Sequence, residues 1–99
     1  MSGPDDKITV IAELRAKSGH EDEIRKNLEA LVGPSRKEPG CLRYDLYESK
    51  YYTGDFFTHE EWESEAALEK HLDGAKHKLN QAKALLREDV RICILKQRV

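Results

Sequence analysis

The sequence contains few of the residue groupings that usually mark a metal, redox or nucleotide site. Its two cysteines, Cys41 and Cys93, are far apart and form no CxxC pair. The four histidines are scattered without HExxH spacing, so no metal ligand set is expected. Phosphate-binding loops, dinucleotide fingerprints and the serine elbow of hydrolases are also absent from the sequence.

The chain also lacks a strong charge of one sign and any long apolar run. Lys plus Arg total 17 and Asp plus Glu total 19, which gives a net charge of −2 and argues against a general nucleic-acid binder. No run approaches the ~20 apolar residues of a membrane span. Residues 1–10 show neither region of a signal peptide. We therefore expect a cytoplasmic, reduced protein without nucleic-acid or membrane partners, in which each cysteine acts as a small apolar side chain.

Four segments alternate between apolar and polar side chains, which predicts strands over 7–17, 41–48, 56–62 and 89–96. In the second of them, Leu42, Tyr44 and Leu46 are expected on one face. Tyr47 is three positions after Tyr44 and is therefore expected on the opposite face. The second and third strands are joined by a short loop, which favours a hairpin.

Two segments show helical periodicity. The first is expected to begin at Ser18, which forms a capping-box pattern with Glu21, and to be interrupted at Gly33-Pro34. The second is expected to begin after Ser64 as N-cap and to break into two pieces at Asp73-Gly74.

The resulting order, β-α-β-β-α-β, predicts a ferredoxin-like α+β sandwich with one antiparallel sheet and both helices on one face. Residues 1–6 are expected to form a flexible tail and residues 7–99 a single domain. The second sheet face needs a cover, and the simplest cover is a second copy of the chain. We therefore expect a two-fold homodimer with sheet packed against sheet.

The candidate chemistry lies in aromatic and titratable residues of the middle elements. Glu60 and Trp62 are two positions apart on a strand and share a face. They are either a solvent-side glutamate beside a core tryptophan, or the anchor and wall of an aromatic ligand pocket. His71 lies on the apolar stripe of the second helix, so it is either a core histidine or a general base next to a cavity. His77 does not share that stripe.

Three segments of the chain carry a family resemblance: ITVIAELRAKSG at 8–19, RKEPGCLRY at 36–44 and EEWESEAALEKHL at 60–72. In this order and spacing they resemble the antibiotic-biosynthesis-monooxygenase domain family over almost the whole chain. The resemblance implies a dimeric α/β barrel built from the ferredoxin-like fold. It also implies oxygenation of polycyclic phenols or quinols without metal or bound cofactor.

Within the resemblance, Trp62 and His71 match the family's tryptophan and histidine, and Glu60 matches its acidic residue. We expect His71 to act as base or hydroxyl anchor and Trp62 as a stacking wall. Tyr44, Glu60 and Phe57 are expected to contact the substrate.

The sequence departs from the family pattern in two places. Many members carry a Pro-His pair shortly after the HL dipeptide, where this chain has Ala75 and Lys76 with His77 one position late. Heme-degrading relatives use an asparagine and a histidine at positions that correspond here to Leu14 and Gln81, which disfavours heme degradation.

The leading hypothesis is a cofactor-independent monooxygenase that oxidises a small aromatic, phenolic or quinol substrate with dioxygen. A second hypothesis is an isomerase or lyase of a small phosphorylated metabolite of the processed autoinducer-2 type, with Arg36 or Arg43 binding the anion. A third is a non-catalytic module that binds small molecules. The ligand type and the packing around His71 distinguish the three hypotheses.

Overall fold

The computed structural model describes residues 6–99, and its elements follow the predicted order. The strands are β1 (Ile8–Arg15), β2 (Cys41–Glu48), β3 (Asp55–Trp62) and β4 (Arg91–Leu95), and the helices are α1 (Glu21–Arg36) and α2 (Glu65–Lys83). The expected tail over residues 1–6 lies, apart from Asp6, outside the described residues. In this described part of the chain, no helix combines the length and apolar character needed to cross a membrane.

The four strands form one sheet in the order β2-β3-β1-β4, and every neighbouring pair is antiparallel. Burial alternates along β1 and β3, so one face of the sheet is covered by the helices and the other is not. The prediction of a ferredoxin-like α+β fold is confirmed.

The covered face carries two apolar clusters with polar residues between them. One cluster surrounds Leu14, Phe56 and Ile24, and the other surrounds Val10 and Trp62. On β3 the two positions between Phe56 and Trp62 on this face are Thr58 and Glu60, both buried. Buried polar side chains need hydrogen-bond partners close by. This polar stretch in an otherwise apolar face is therefore the candidate site.

Helix α1 differs from its prediction at both ends. It begins at Glu21, and Ser18 is not its cap, because Gly19 adopts a left-handed φ of 91° between them. It also runs through Gly33-Pro34 without interruption. Pro34 falls in the last turn, so the helix loses a single backbone hydrogen bond while Ser35 still packs inward.

Helix α2 begins as predicted, since the Ser64 hydroxyl accepts a hydrogen bond from the Ala67 N–H at 3.2 Å. The predicted break at Asp73-Gly74 is wrong, because the helix is continuous from Glu65 to Lys83. Glycine in a helix costs about 1 kcal/mol relative to alanine. The buried stripe continues across it from His71 to Ala75 and Ala82, and this packing outweighs the cost.

Strand β2 corrects one prediction of facing. Tyr44 is buried and Tyr47 is 52% exposed, as predicted from their spacing. Leu42, however, is 57% exposed and does not share the face of Tyr44. The pairing with β3 shifts register between Cys41 and Arg43, so Leu42 is the extra residue of a bulge.

A charged clamp joins the start of α1 to the end of β2. Arg25 donates from Nε to Glu48 Oε1 at 2.9 Å and from Nη2 to Glu48 Oε2 at 2.8 Å. The Gly54 N–H donates to the same carboxylate at 3.0 Å. These bonds lower the pKa of Glu48 to about 2, chiefly through the hydrogen bond from Arg25.

Candidate active site

A narrow cavity of about 40 Å³ lies between the sheet and the two helices, where the two apolar clusters leave a gap. Most of its wall is aliphatic. The polar side chains that line it are Tyr44, Thr58, Glu60 and His71. Of the described residues around the cavity, none is a lysine or an arginine. The cavity therefore offers apolar surface and a small polar wall, without a cation.

Glu60 forms the base of the polar wall. Its side chain is only 5% exposed, and each carboxylate oxygen accepts one hydrogen bond. Thr58 Oγ1 donates to Oε2 at 2.7 Å and Trp62 Nε1 donates to Oε1 at 3.0 Å. All three residues come from alternate positions of β3, so the strand itself holds the carboxylate in place. A carboxylate has further lone pairs that a ligand hydroxyl can use.

His71 forms the opposite side of the polar wall, projecting from α2. It is 6% exposed, and its ring packs against Trp62 with centroids 4.6 Å apart and against the edge of Tyr44 at 5.5 Å. Its Nδ1 lies 2.6 Å from Glu38 Oε2. Which of the two groups donates in this contact depends on the tautomer of His71.

Two other titratable groups near the cavity stay protonated at neutral pH. Burial raises the pKa of the Tyr44 hydroxyl, and the charge of Glu60 raises it further, although a hydrogen bond with Ser35 opposes the shift. Burial likewise raises the pKa of the Cys41 thiol. Neither group is therefore an available base or nucleophile. The other two titratable side chains on the cavity wall are His71 and Glu60.

The structure brings together four of the five residues predicted for the site. Tyr44, Glu60 and His71 line the cavity. Trp62 is fully buried behind Glu60 and His71 and is not part of the cavity wall, so this geometry gives it no stacking surface for a ligand. Phe57 lies on the opposite face of the sheet, paired with Glu13 and Tyr47, because neighbouring strand positions alternate faces.

Two site residues were missed from the sequence. Thr58 lies two positions before Glu60 and shares its face, which the alternation along the strand is enough to predict. Glu38 lies 33 positions before His71, and its motif, RKEPGC, gives no indication of the helix that it contacts. Only the tertiary packing of the α1–β2 connection against α2 reveals that pair.

A groove of about 180 Å³ between α1 and α2 lies next to the cavity. Leu28, Leu31 and Leu79 line both the groove and the cavity. These three side chains therefore separate the site from the helix surface.

The donor set does not suggest a metal centre. In the part of the chain that the structure describes, no three His, Cys, Asp or Glu side chains are grouped closely enough to hold a metal ion. The arrangement instead resembles a hydroxyl-binding pocket, with acceptors on two sides and an apolar wall.

Solved and curated proteins are similar to this chain over most of its length. The protein PA3566 of Pseudomonas aeruginosa is 36% identical, with a TM-score of 0.86 over 98% of this chain and 99% of its own. Rv0793 of Mycobacterium tuberculosis, whose name is "Putative monooxygenase", is 35% identical over 89% of this chain and 88% of its own. The TM-score to its structure is 0.84, covering 94% of this chain and 96% of that chain.

A third relative is longer than this chain. The Synechocystis protein sll1783 is 34% identical over 72% of this chain, and the match spans about half of that protein, 48%. The family model described as "Antibiotic biosynthesis monooxygenase" matches residues 7–83, which contain both helices, β1 to β3 and every polar residue of the cavity. The chain therefore belongs to the antibiotic biosynthesis monooxygenase family.

Proposed function

We propose that this protein is a cofactor-independent monooxygenase that oxidises a small aromatic, phenolic or quinol substrate with dioxygen. The observation that carries the proposal is the cavity itself, which combines apolar walls with two proton acceptors, His71 and Glu60. A phenol bound there would donate its hydroxyl proton to His71 and become an electron-rich anion. Excluding water favours this anion's reaction with dioxygen over side reactions.

The proposed reaction balances without a second reductant. The substrate anion passes one electron to dioxygen, and the resulting radical pair recombines to form a carbon–oxygen bond. The peroxide anion then takes back the proton that His71 accepted and becomes a hydroperoxide. Loss of water from the hydroperoxide then leaves a product with one oxygen more and two hydrogens fewer than the substrate. The substrate supplies all the electrons, one oxygen atom enters the product and the other leaves as water.

The residues have different roles in this proposal. His71 accepts the proton, Glu60 anchors a second hydroxyl, and the Tyr44 hydroxyl and ring bound the site. Trp62 acts as a positioning residue, because it donates to Glu60 and packs on His71 without lining the cavity. Phe57 has no part in this cavity.

The cavity must widen when substrate binds. A cavity of about 150 Å³ accommodates benzene, whereas this one measures about 40 Å³. Displacement of Leu31 and Leu79 would join it to the neighbouring groove, so we assign the substrate's entry to the gap between α1 and α2.

The two alternative functions have less support in the geometry. A phosphorylated metabolite needs cations, but Arg36 and Arg43 lie outside the cavity and are both engaged with Asp45. A buried carboxylate would also repel a phosphate. A sealed core around His71 would favour a non-catalytic module. The structure instead has a cavity next to His71.

We further propose that the protein works as a cytoplasmic homodimer. The uncovered sheet face carries apolar side chains on its inner strands, including Ile11 and Phe57, with the exposed Tyr47 beside them. Burial of this face against a second copy would build the eight-stranded dimeric barrel that the resemblance implies.

Oxygen uptake with a panel of quinols and phenols tests the proposed function. We expect substrate-dependent oxygen consumption and, under ¹⁸O₂, one labelled oxygen atom in the product. Dialysis against a chelator should leave the rate unchanged. No oxygen consumption across the panel would contradict the monooxygenase proposal, and activity lost on chelation and restored by metal would contradict independence of cofactors.

A further inference from the structure

We propose that Glu38 is a positioning residue that fixes the proton of His71 on Nδ1, so that Nε2 faces the ligand as a hydrogen-bond acceptor. The proposal rests on the proposed function for its catalytic consequence, but its structural part does not depend on any activity. Glu38 lies in the loop after α1, and in this proposal it acts on the ligand only through His71.

The ring of His71 is held from three directions. Trp62 packs against it at 4.6 Å between centroids, and Tyr44 meets it edge-on at 5.5 Å. Glu38 fixes the rotation of the ring within this aromatic slot, because its Oε2 lies 2.6 Å from Nδ1. A carboxylate partner on one imidazole nitrogen selects the tautomer and leaves the other nitrogen basic.

The backbone on both sides of Glu38 explains why its side chain is well placed. The Glu38 N–H donates to the Ser35 carbonyl at 3.1 Å, and its own carbonyl accepts from the Cys41 N–H at 3.1 Å. Gly40 then adopts a left-handed φ of 84°, and a Cβ at that position would lie 2.7 Å from the Cβ of Ala67. The glycine therefore allows this loop to approach the first turn of α2, the helix that carries His71.

The fixed tautomer has a consequence for the ligand. With the proton on Nδ1, His71 has an acceptor left at Nε2 and Glu60 has lone pairs left on its carboxylate, and both residues line the cavity. A ligand that satisfies both must bring two hydrogen-bond donors. We therefore expect the site to prefer a dihydroxy aromatic over its methyl ethers or the corresponding quinone, which lack one or both donors.

The tautomer can be measured directly on the full-length protein. Long-range ¹H–¹⁵N spectra of the imidazoles distinguish a protonated Nδ1 from a protonated Nε2, and comparison with His71→Gln assigns the signal. The spectra are recorded at about pH 9, above the ordinary pKa of histidine near 6.5. We expect the Nδ1-protonated form in the wild type and in Glu38→Gln, whose amide oxygen still accepts. In Glu38→Ala we expect the Nε2-protonated form, which free histidine prefers.

An exposed glutamate on α2, Glu69, provides the matched control, and Glu69→Ala should keep the wild-type tautomer. A wild-type His71 protonated at Nε2, or a tautomer unchanged by Glu38→Ala, would overturn the proposal.

The activity arm uses a double-mutant cycle. Glu38→Ala should lower kcat by roughly 10–100-fold, with a smaller change in KM, and should have no further effect in a His71→Ala background.

The two arms separate this proposal from the proposed function. An enzyme that turns over normally with Glu38→Ala contradicts the role of Glu38 while leaving the monooxygenase proposal intact. A wild type that consumes no oxygen contradicts the monooxygenase proposal, and the spectra still decide whether Glu38 sets the tautomer of His71.

Discussion

The Glu60 carboxylate is buried, and both of its hydrogen-bond donors come from its own strand. Its partners, Thr58 and Trp62, are the residues two positions before and after it on β3. No cation is needed to hold it in place, because each oxygen receives a donor from the same strand. This leaves a fixed acceptor at the base of the cavity, and its stability should depend on both donors.

We expect Thr58→Val to lower the free energy of unfolding by about 1–3 kcal/mol, because it leaves one oxygen of a buried carboxylate without a donor. Valine keeps the shape and the strand preference of threonine. Thr53→Val, in the exposed loop between β2 and β3, is the control and should be close to neutral. Urea denaturation measures both. In a Glu60→Met background the cost of Thr58→Val should disappear, and a cost that persists there would refute the assigned hydrogen bond.

At this scale, the sequence predicts which face a side chain takes but not which distant group it meets. Alternation placed Glu60 with Trp62 and separated Tyr44 from Tyr47, and helical spacing turned His71 inward. The contact between His71 and Glu38 depends on the path of a loop, which no periodicity encodes. The expectation that Phe57 contacts the substrate fails, because Phe57 is three positions from Glu60 on β3 and therefore lies on the opposite face of the sheet.

The elements are positioned by a few tight connections. The loop from α1 to β2 brings Glu38 to α2, and Gly40 permits the close approach. The helices also pass through the residues that were expected to interrupt them, because each buried stripe continues on the far side. The local cost of Gly33-Pro34 and Asp73-Gly74 is therefore smaller than the stabilisation from the packing on either side of them.

Gly40→Ala should destabilise the protein more than Gly19→Ala. Both glycines have a left-handed φ, 84° and 91°, which costs an alanine roughly 1–2 kcal/mol. A Cβ at Gly19 meets nothing within 4 Å, whereas one at Gly40 would collide with Ala67. The collision should add roughly 1–3 kcal/mol. Chemical denaturation of the two variants side by side measures the difference, and equal costs would show that the close approach has no energetic weight.

The clamp between α1 and β2 should make stability sensitive to acid. The pKa of Glu48 is lowered from 4.5 to about 2, so its contribution is fully present above pH 4.5 and is lost as the pH falls towards 2. Glu48→Gln should therefore melt below the wild type at pH 7, and the gap should close between these values. Glu29→Gln, an exposed change on α1, is the control. A gap that stays constant down to pH 2 would exclude the ion pair as its cause.

At the scale of the whole molecule, the two helices cover one face of the sheet and leave the other face open. Element order and periodicity were sufficient to predict this architecture, because β-α-β-β-α-β with short connections has few compact arrangements. The volume of the cavity was not predictable, since it depends on the width of the gap between two apolar side-chain clusters. We have proposed that a second chain covers the open face, and the assembly state tests this proposal.

We expect the protein to elute as a stable species of twice the chain mass in size-exclusion chromatography with light scattering. Tyr47→Lys, on the open face, should shift it towards the monomer at micromolar concentration. Tyr51→Lys is the control, because Tyr51 is 80% exposed in the loop between β2 and β3. A wild type that remains a single chain would contradict the dimer.

The central claim is that His71 accepts the substrate's proton, and turnover per folded molecule tests it most directly. The measurement compares oxygen uptake and thermal melting on the same preparations of wild type, His71→Ala and His77→Ala, the last being an exposed histidine of the same helix. The account predicts that His71→Ala loses roughly 10²–10⁴-fold in kcat while remaining folded, and that His77→Ala is unchanged. A His71→Ala protein that melts earlier but turns over at the wild-type rate would contradict it.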